Sequence, residues 1–226
     1  SSLSIPTATS ARTIPVKLLE ENRRLINQHQ TAIHGFKVSL THLIAWTIVR
    51  AIEKHPVMNA GFSEMEDEPH RLNRAAINLG IAIDVEKRGE RLLLVPNIQD
   101  AGRLDFPSFA AAYDGLVLRA RQGKLALEDF RGTTATLTNP GMLGTALSVP
   151  RLMAGQGTIV GVGAVGYPAE YSGMSPQVIA ELGLAKVMTV TSTYDHRIIQ
   201  GAESGAFLST QEKLLLGEDG FYDRIF

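Results

Sequence analysis

The sequence has no cysteine, which excludes a disulfide framework, a thiolate nucleophile and any Cys-ligated metal. It has no excess of either charge: 22 Lys and Arg stand against 23 Asp and Glu, a formal charge of −1. Nothing in that balance draws the chain to a phosphate backbone, so no nucleic-acid partner is expected. No apolar run approaches the ~20 residues of a membrane span, and no charged-then-apolar leader opens the chain. The expectation is a cytoplasmic protein without a membrane partner. Repeats, low-complexity tracts and long Pro/Gly/Ser linkers are also missing, so residues 1–226 read as one domain. The chain starts Ser1-Ser2 rather than with Met, which points to a piece cut from a longer protein. What is present is 44% hydrophobic and 20% charged residues over 226 positions, enough for a sizeable core.

Val16 to about Gln28 sets Leu18, Leu19, Asn22, Leu25 and Ile26 at helical spacing, with Glu20, Glu21, Arg23 and Arg24 outside. A second helix starts at Ser39, a good N-cap, and aligns Leu40, Leu43, Ile44, Ile48, Ala51 and Ile52 until His55-Pro56 stops it. Asn78–Asp84 and Leu92–Pro96 flank a turn at Lys87-Arg88-Gly89-Glu90 and read as a strand pair. From Phe106-Pro107 the pattern is helical again, with Gly123 as its C′ residue. Thr133–Thr138, Gly157–Val165 and Val187–Tyr194 read as strands, and a last helix spans about Gly201–Leu216. The acidic cluster Glu64, Glu66, Asp67 and Glu68 reads as a solvated loop. Strands and helices follow no regular βαβ beat, so the expected α/β architecture is a mixed sheet covered by helices.

Gly161-Val162-Gly163-Ala164-Val165-Gly166 satisfies the dinucleotide fingerprint literally, but Tyr167-Pro168 follows instead of a helix. The better reading is glycines that admit a neighbouring backbone or ligand beside a strand. Of six histidines, His29, His34 and His70 lie in polar surroundings, His55 ends a helix and His42 shares a helix with Trp46; none has metal spacing. His196 differs, because Tyr194-Asp195-His196-Arg197 stands where a β-rich run gives way to a helix, a suitable place for a general base or simply for a turn histidine. In Thr136-Leu137-Thr138-Asn139-Pro140-Gly141, alternation ends in a turn that projects Thr138 or Asn139 from a sheet edge, where a hydroxyl or amide could donate to an oxyanion.

Together these segments resemble the catalytic domain of the 2-oxoacid dehydrogenase acyltransferases, with the chloramphenicol acetyltransferase-like fold. The family pattern D-H-R-x-x-D-G is matched by Asp195-His196-Arg197-Ile198-Ile199-Gln200-Gly201, with Gln200 in place of the usual Asp. T-[ST]-N-x-G appears as Leu137-Thr138-Asn139-Pro140-Gly141, and P-x-x-x-x-x-Q-x-x-I-x-G-x-G runs from Pro150 to Gly163. The N-[IL]-G-[IV]-A-[IV]-D strand is Asn78–Asp84, and R-x-G-K-L followed by an acid is Arg121–Asp129. The motifs run in order over nearly the whole chain. The wording from Ser192 to Gly205 is most similar to the succinyltransferase branch fused into actinobacterial 2-oxoglutarate dehydrogenase/decarboxylase chains.

The resemblance implies a homotrimer with active sites between subunits, coenzyme A or succinyl-CoA as substrate, and a lipoyl group from a partner. It implies His196 as general base and Thr138 as oxyanion donor. Arg23, Ser39, Asp84, Asn139, Gly161 and Gly163 would contact coenzyme A, and Gln200, Asp195 and Arg197 would scaffold the site. Gln200, four residues after His196, is expected on the same helix face if the turn leads straight into helix. The chain has no lipoyl-type Asp-Lys-Ala hairpin, so a lipoyl-domain-bearing acyltransferase and a dihydrolipoamide dehydrogenase are the implied partners. Thiamine diphosphate and magnesium are expected only in another domain of a fused protein, and no metal in this one. The polar run Gly217–Arg224 stands where the family's cubic cores carry an apolar anchor, which makes assembly beyond a trimer doubtful. The competing expectation is a trimerising scaffold that retains coenzyme A binding but has lost chemistry, with Gln200 as its mark.

Overall fold

A computed structural model describes residues 5–33, 35–66, 68–87 and 89–225, so the readings made on Ser1, Ser2, His34, Asp67 and Arg88 lie outside the described residues. The chain opens with strand β1 (Thr7–Pro15) and helix α1 (Lys17–Ala32). Helix α2 (Leu40–Lys54) follows, then a hairpin of β2 (Gly61–Met65) and β3 (Glu68–Leu72). β4 (Leu79–Ile81), β5 (Ile83–Lys87), β6 (Glu90–Leu94) and β7 (Asn97–Ile98) lead to α3 (Phe106–Gln122). The second half holds β8 (Ala135–Thr138), β9 (Thr158–Val162), a short α4 (Pro176–Glu181), β10 (Val187–Asp195) and α5 (Gly201–Leu215).

Six strands form one mixed sheet in the order β1-β10-β9-β8-β4-β7. β8 is parallel to both β9 and β4, and the remaining pairs are antiparallel. Strand alternation puts Leu137, Val160, Val162 and Val190 on the face that joins the hydrophobic core. On that side α5 packs against β1 and β10, α3 against β7, and α2 lies against α1, α3 and α5. α2 is the centre of this layer: ten of its fifteen residues are buried, including Trp46 and Thr47 outside the expected stripe. α1 buries only Leu19, Ile26 and Gln30, and Leu18 and Leu25 are exposed, so the apolar stripe read for it is only partly a core face.

The run Asn78–Asp84 is not one strand. Ala82 breaks it: β4 joins the main sheet, whereas β5 pairs with β6 in a separate two-stranded arm, Ile83 opposite Leu94. Glu64 and Glu68 of the acidic segment are paired strand residues of the β2–β3 hairpin rather than loop residues, and Glu64, Glu66 and Glu68 stay exposed. The C-terminal run keeps its aromatic residues inside, with Phe221, Tyr222 and Ile225 buried and the Tyr222 hydroxyl donating to Leu215 O at 2.7 Å.

Candidate active site

The sheet's two ends carry the residues of interest. At one end β10 terminates in Asp195, which is only 2% exposed. Its Oδ1 accepts from the Arg197 backbone N–H (3.1 Å) and Nε (2.8 Å), and its Oδ2 accepts from Arg197 Nη2 (2.6 Å). The Arg197 guanidinium also lies 3.5 Å over the Phe62 ring, and the hydrogen bond to Asp195 holds its pKa above the ordinary arginine value. Ile198 and Ile199 donate to Asp195 O, and buried Ile199 pins the turn into the core. His196 is thus held at both flanks while its side chain stays exposed; its backbone N–H donates to Pro6 O at 2.9 Å. This is a backbone-bonded turn histidine and also an accessible imidazole, so the two readings of His196 are compatible.

Gln200 is not one helical turn from His196. Residues 196–198 form a turn, and Gln200 is the exposed N-cap of α5, its φ −97° and ψ 158° outside the helix and its N–H donating to Glu203 Oε2 at 2.7 Å. Asp195 and Arg197 bond to each other, and among the described residues no hydrogen bond ties Gln200 to the His196 ring.

At the other end, β8 stops at half-buried Thr138, and the chain turns through Asn139 into a tight 3-10 turn, Pro140–Leu143. Asn139 Nδ2 donates to Thr41 Oγ1 at 3.1 Å, bringing the turn onto the start of α2. A Cβ on Gly141 would collide with the Gly163–Ala164 backbone, so glycine is required there. Gly161 and Gly163 meet this chain's own atoms: a Cβ on Gly161 would come 2.6 Å from Thr191 Oγ1, and one on Gly163 would collide with Ala146 O. The side-chain face of Gly161 is therefore filled by Thr191 with Ser148 O behind it, and that of Gly163 by Ala146, which agrees with the neighbouring-backbone reading of the fingerprint.

Ser39 caps α2 in a reciprocal box with His42: His42 N–H donates to Ser39 Oγ (3.1 Å) and Ser39 N–H donates to His42 Nδ1 (3.2 Å). With Nδ1 accepting, Nε2 carries the proton and donates to Asp114 Oδ1 at 3.0 Å. Burial pushes the His42 pKa down, against the pull of Asp114. The signal in the sequence for this arrangement of His42 is its Ser39-to-His42 spacing, that of a capping box. Arg23 and Arg24 on α1 share a basic cleft of about 520 Å³ with Asn27, Gln28, Thr31 and Lys37, and the buried Arg23 Nε has no hydrogen-bond partner among the described residues. Asn27 fastens this cleft to the Ser39 end by bonding both Val38 N–H (2.7 Å) and Val38 O (2.9 Å). Asp84 stands on the β5–β6 arm, paired with Arg91 across the hairpin. That arm leaves the sheet beside Thr138, since Ala82 N–H donates to Leu137 O.

Register places the two expected catalytic residues far apart. Tyr194 is level with Thr158 and Ala135, whereas Thr191 is level with Gly161 and Thr138. His196 therefore lies about 17 Å along the strands and about 10 Å across them from Thr138 of the same chain. Among the described residues no cluster of three His, Asp or Glu could hold a metal ion, and no helix is long and apolar enough to cross a membrane.

The family model for the catalytic domain of 2-oxoacid dehydrogenases acyltransferase matches residues 1–219. The chain belongs to this acyltransferase family. A multifunctional 2-oxoglutarate metabolism enzyme from Mycobacterium sp. (strain JLS) is 55% identical over all 226 residues, and the like-named protein of Mycolicibacterium vanbaalenii is also 55% identical over the same length. The chain spans 18% of the length of these relatives. Among solved structures, a dihydrolipoamide acetyltransferase from Azotobacter vinelandii matches with a TM-score of 0.81 at 21% identity, covering 97% of this chain and 85% of that one. Chloramphenicol acetyltransferase matches at 0.54 and 14%, covering 93% and 89%. These likenesses agree with the expected acyltransferase fold, a mixed sheet backed by helices.

Proposed function

We propose that this acyltransferase domain moves a succinyl group between coenzyme A and a dihydrolipoyl arm supplied by a partner, at a site that two copies of the chain build together in a homotrimer. The observation that carries the reading is the separation of His196 from Thr138. One thioester carbonyl cannot reach both within a chain, but the His196 end of one copy set against the Thr138 end of the next can enclose it. The neighbourhood of Thr138 favours such a contact, since Met142 and Leu143 are 79% and 70% exposed and Leu147 and Val149 extend the same apolar stretch.

In the transfer, His196 takes the proton of the attacking thiol as its sulfur forms a bond to the thioester carbonyl carbon. The Thr138 hydroxyl donates to the oxyanion of the tetrahedral intermediate. Collapse breaks the old carbon–sulfur bond, and the leaving thiolate recovers the proton from His196. No acyl-enzyme forms, in keeping with a chain that lacks cysteine. Asp195 and Arg197 hold the turn that presents His196. The basic cleft at Arg23 suits the phosphates of coenzyme A, and Ser39, Asp84 and Asn139 lie toward the same Thr138 end of the fold. Gly161 and Gly163 support that end by admitting segment 146–148.

The succinyl group is supported by the name of the 55% identical relatives, because oxidative decarboxylation of 2-oxoglutarate leaves a succinyl unit. On this reading the lipoyl arm comes from a lipoyl-domain-bearing acyltransferase working with a dihydrolipoamide dehydrogenase in the cytoplasm, and thiamine diphosphate and magnesium belong to another part of a longer polypeptide. Initial rates with succinyl-, acetyl- and branched-chain acyl-CoA and free dihydrolipoamide test the reading: succinyl-CoA should have the highest kcat/KM. Tight coenzyme A binding with no turnover of any thioester would instead favour a coenzyme-binding scaffold.

A further inference from the structure

We propose that Thr41, in the first turn of α2, is a positioning residue that holds the oxyanion donor in place. This rests on the reading of Thr138 given above. Thr138 is the last residue of β8, and Asn139, at φ −123° and ψ 72°, has already left the sheet. Past Thr138 the strand ladder no longer fixes the backbone, yet an oxyanion donor is effective only if its hydroxyl is held where charge develops. Two contacts replace the ladder. On one side Gly141 is pressed against the Gly163–Ala164 backbone. On the other, Asn139 Nδ2 donates to Thr41 Oγ1 at 3.1 Å.

The acceptor on α2 is itself immobilised. Thr41 lies between Ser39 and His42, whose reciprocal bonds close the first turn. His42 is 2% exposed, tied to Asp114 at 3.0 Å and set edge-on against the Tyr113 ring at 4.7 Å. A threonine inside a helix commonly turns its hydroxyl back to the carbonyl four residues earlier, as Thr47 does to Leu43 O at 2.6 Å. Thr41 is too near the helix start for that, because residue 37 precedes the helix, so its hydroxyl is available to the Asn139 amide. The buried interior of α2 is thereby coupled to the exposed turn carrying Thr138.

The test is a double-mutant cycle on the assembled protein, with succinyl-CoA and free dihydrolipoamide as substrates. Thr41→Val removes the acceptor while keeping the shape, and should lower kcat roughly ten- to a hundredfold through misplacement of the donor. KM for dihydrolipoamide, which Asn139 is not expected to contact, should stay within about twofold if only transition-state contacts are lost. Thr41→Ser, which keeps the hydroxyl, should restore most of kcat. If valine is not tolerated, Thr41→Ala removes the same acceptor and carries the same expectation. In a Thr138→Ala background the Thr41 substitution should cost nothing more, since there is no donor left to misplace. Losses that multiply in the double variant, or an effect confined to KM, would overturn the inference while leaving Thr138 as donor. Full activity of Thr138→Ala alone would overturn the donor reading and this inference with it.

Discussion

Replacing Asp195 by alanine tests whether the ion pair beside His196 is the frame of the site. The carboxylate is almost completely enclosed and, among the described residues, accepts three hydrogen bonds, all from Arg197. Removing one partner of a buried ion pair costs about 3–5 kcal/mol, because the other charge is left without compensation. Here the Arg197 side chain is 30% exposed and still stacks on Phe62, so water recovers part of that loss. A destabilisation of about 2–3 kcal/mol is expected. Asp195→Asn keeps an acceptor oxygen for Arg197 and loses only the charge, and should cost about half as much. Both variants should also lose turnover beyond what the unfolded fraction explains, since the neighbouring residue is His196. Urea titration gives the stability, and initial rates at saturating substrate, well below the denaturation midpoint, give the activity. A loss below about 0.5 kcal/mol for Asp195→Ala, the size of an ordinary surface change, together with unchanged kcat, would refute the reasoning.

His42 gives a pH signature: its pKa is lowered in the fold, so the unfolded chain binds more protons, and stability should be full above about pH 6.5 and fall as pH drops toward the depressed folded value. His42→Gln should flatten that part of the stability profile measured by denaturant titration between pH 7 and 5, leaving the share from His55, whose pKa is also lowered by burial. Gly163→Ala should displace segment 146–148 and lower stability by about 1–3 kcal/mol, read as a fall in Tm, because its methyl group has only the Ala146 carbonyl to enter. Gln200→Asp should be neutral to stabilising by up to about 1 kcal/mol, with kcat within about twofold of the native chain, since aspartate is the better N-cap and the position is exposed; a large gain in kcat would mean that glutamine has weakened the enzyme.

The parts legible in the sequence are those whose signals are local. Ser39 announces α2, Phe106-Pro107 and Gly123 bracket α3, and the apolar run into Val162 marks β9, because caps and periodicity act within a few residues. β1 was missed because Thr7, Thr9, Ala11 and Thr13 offer no contrast with the residues between them; it is an edge strand held by pairing with β10, nearly two hundred positions later. The break at Ala82 is equally non-local, since it exists where β4 must follow β8 and β5 must follow β6. The motif around His196 was readable, as was that around Thr138, but their separation was not, because it depends on the register of three strands. The hydrogen bond from Asn139 to Thr41 spans about a hundred positions and has no signature in either segment.

The shared site is most directly tested by complementation. His196→Ala and Thr138→Ala are each expected to cut transfer by about a hundredfold or more. When equal amounts are unfolded together and reassembled, any trimer holding both variants contains one interface with an intact His196 and an intact Thr138. For random trimers this returns about a quarter of the wild-type rate. Recovery near that level, absent when the two variants are mixed without reassembly, is the predicted result. No recovery in trimers demonstrated to contain both variants would place His196 and Thr138 in the same chain's site and contradict the account.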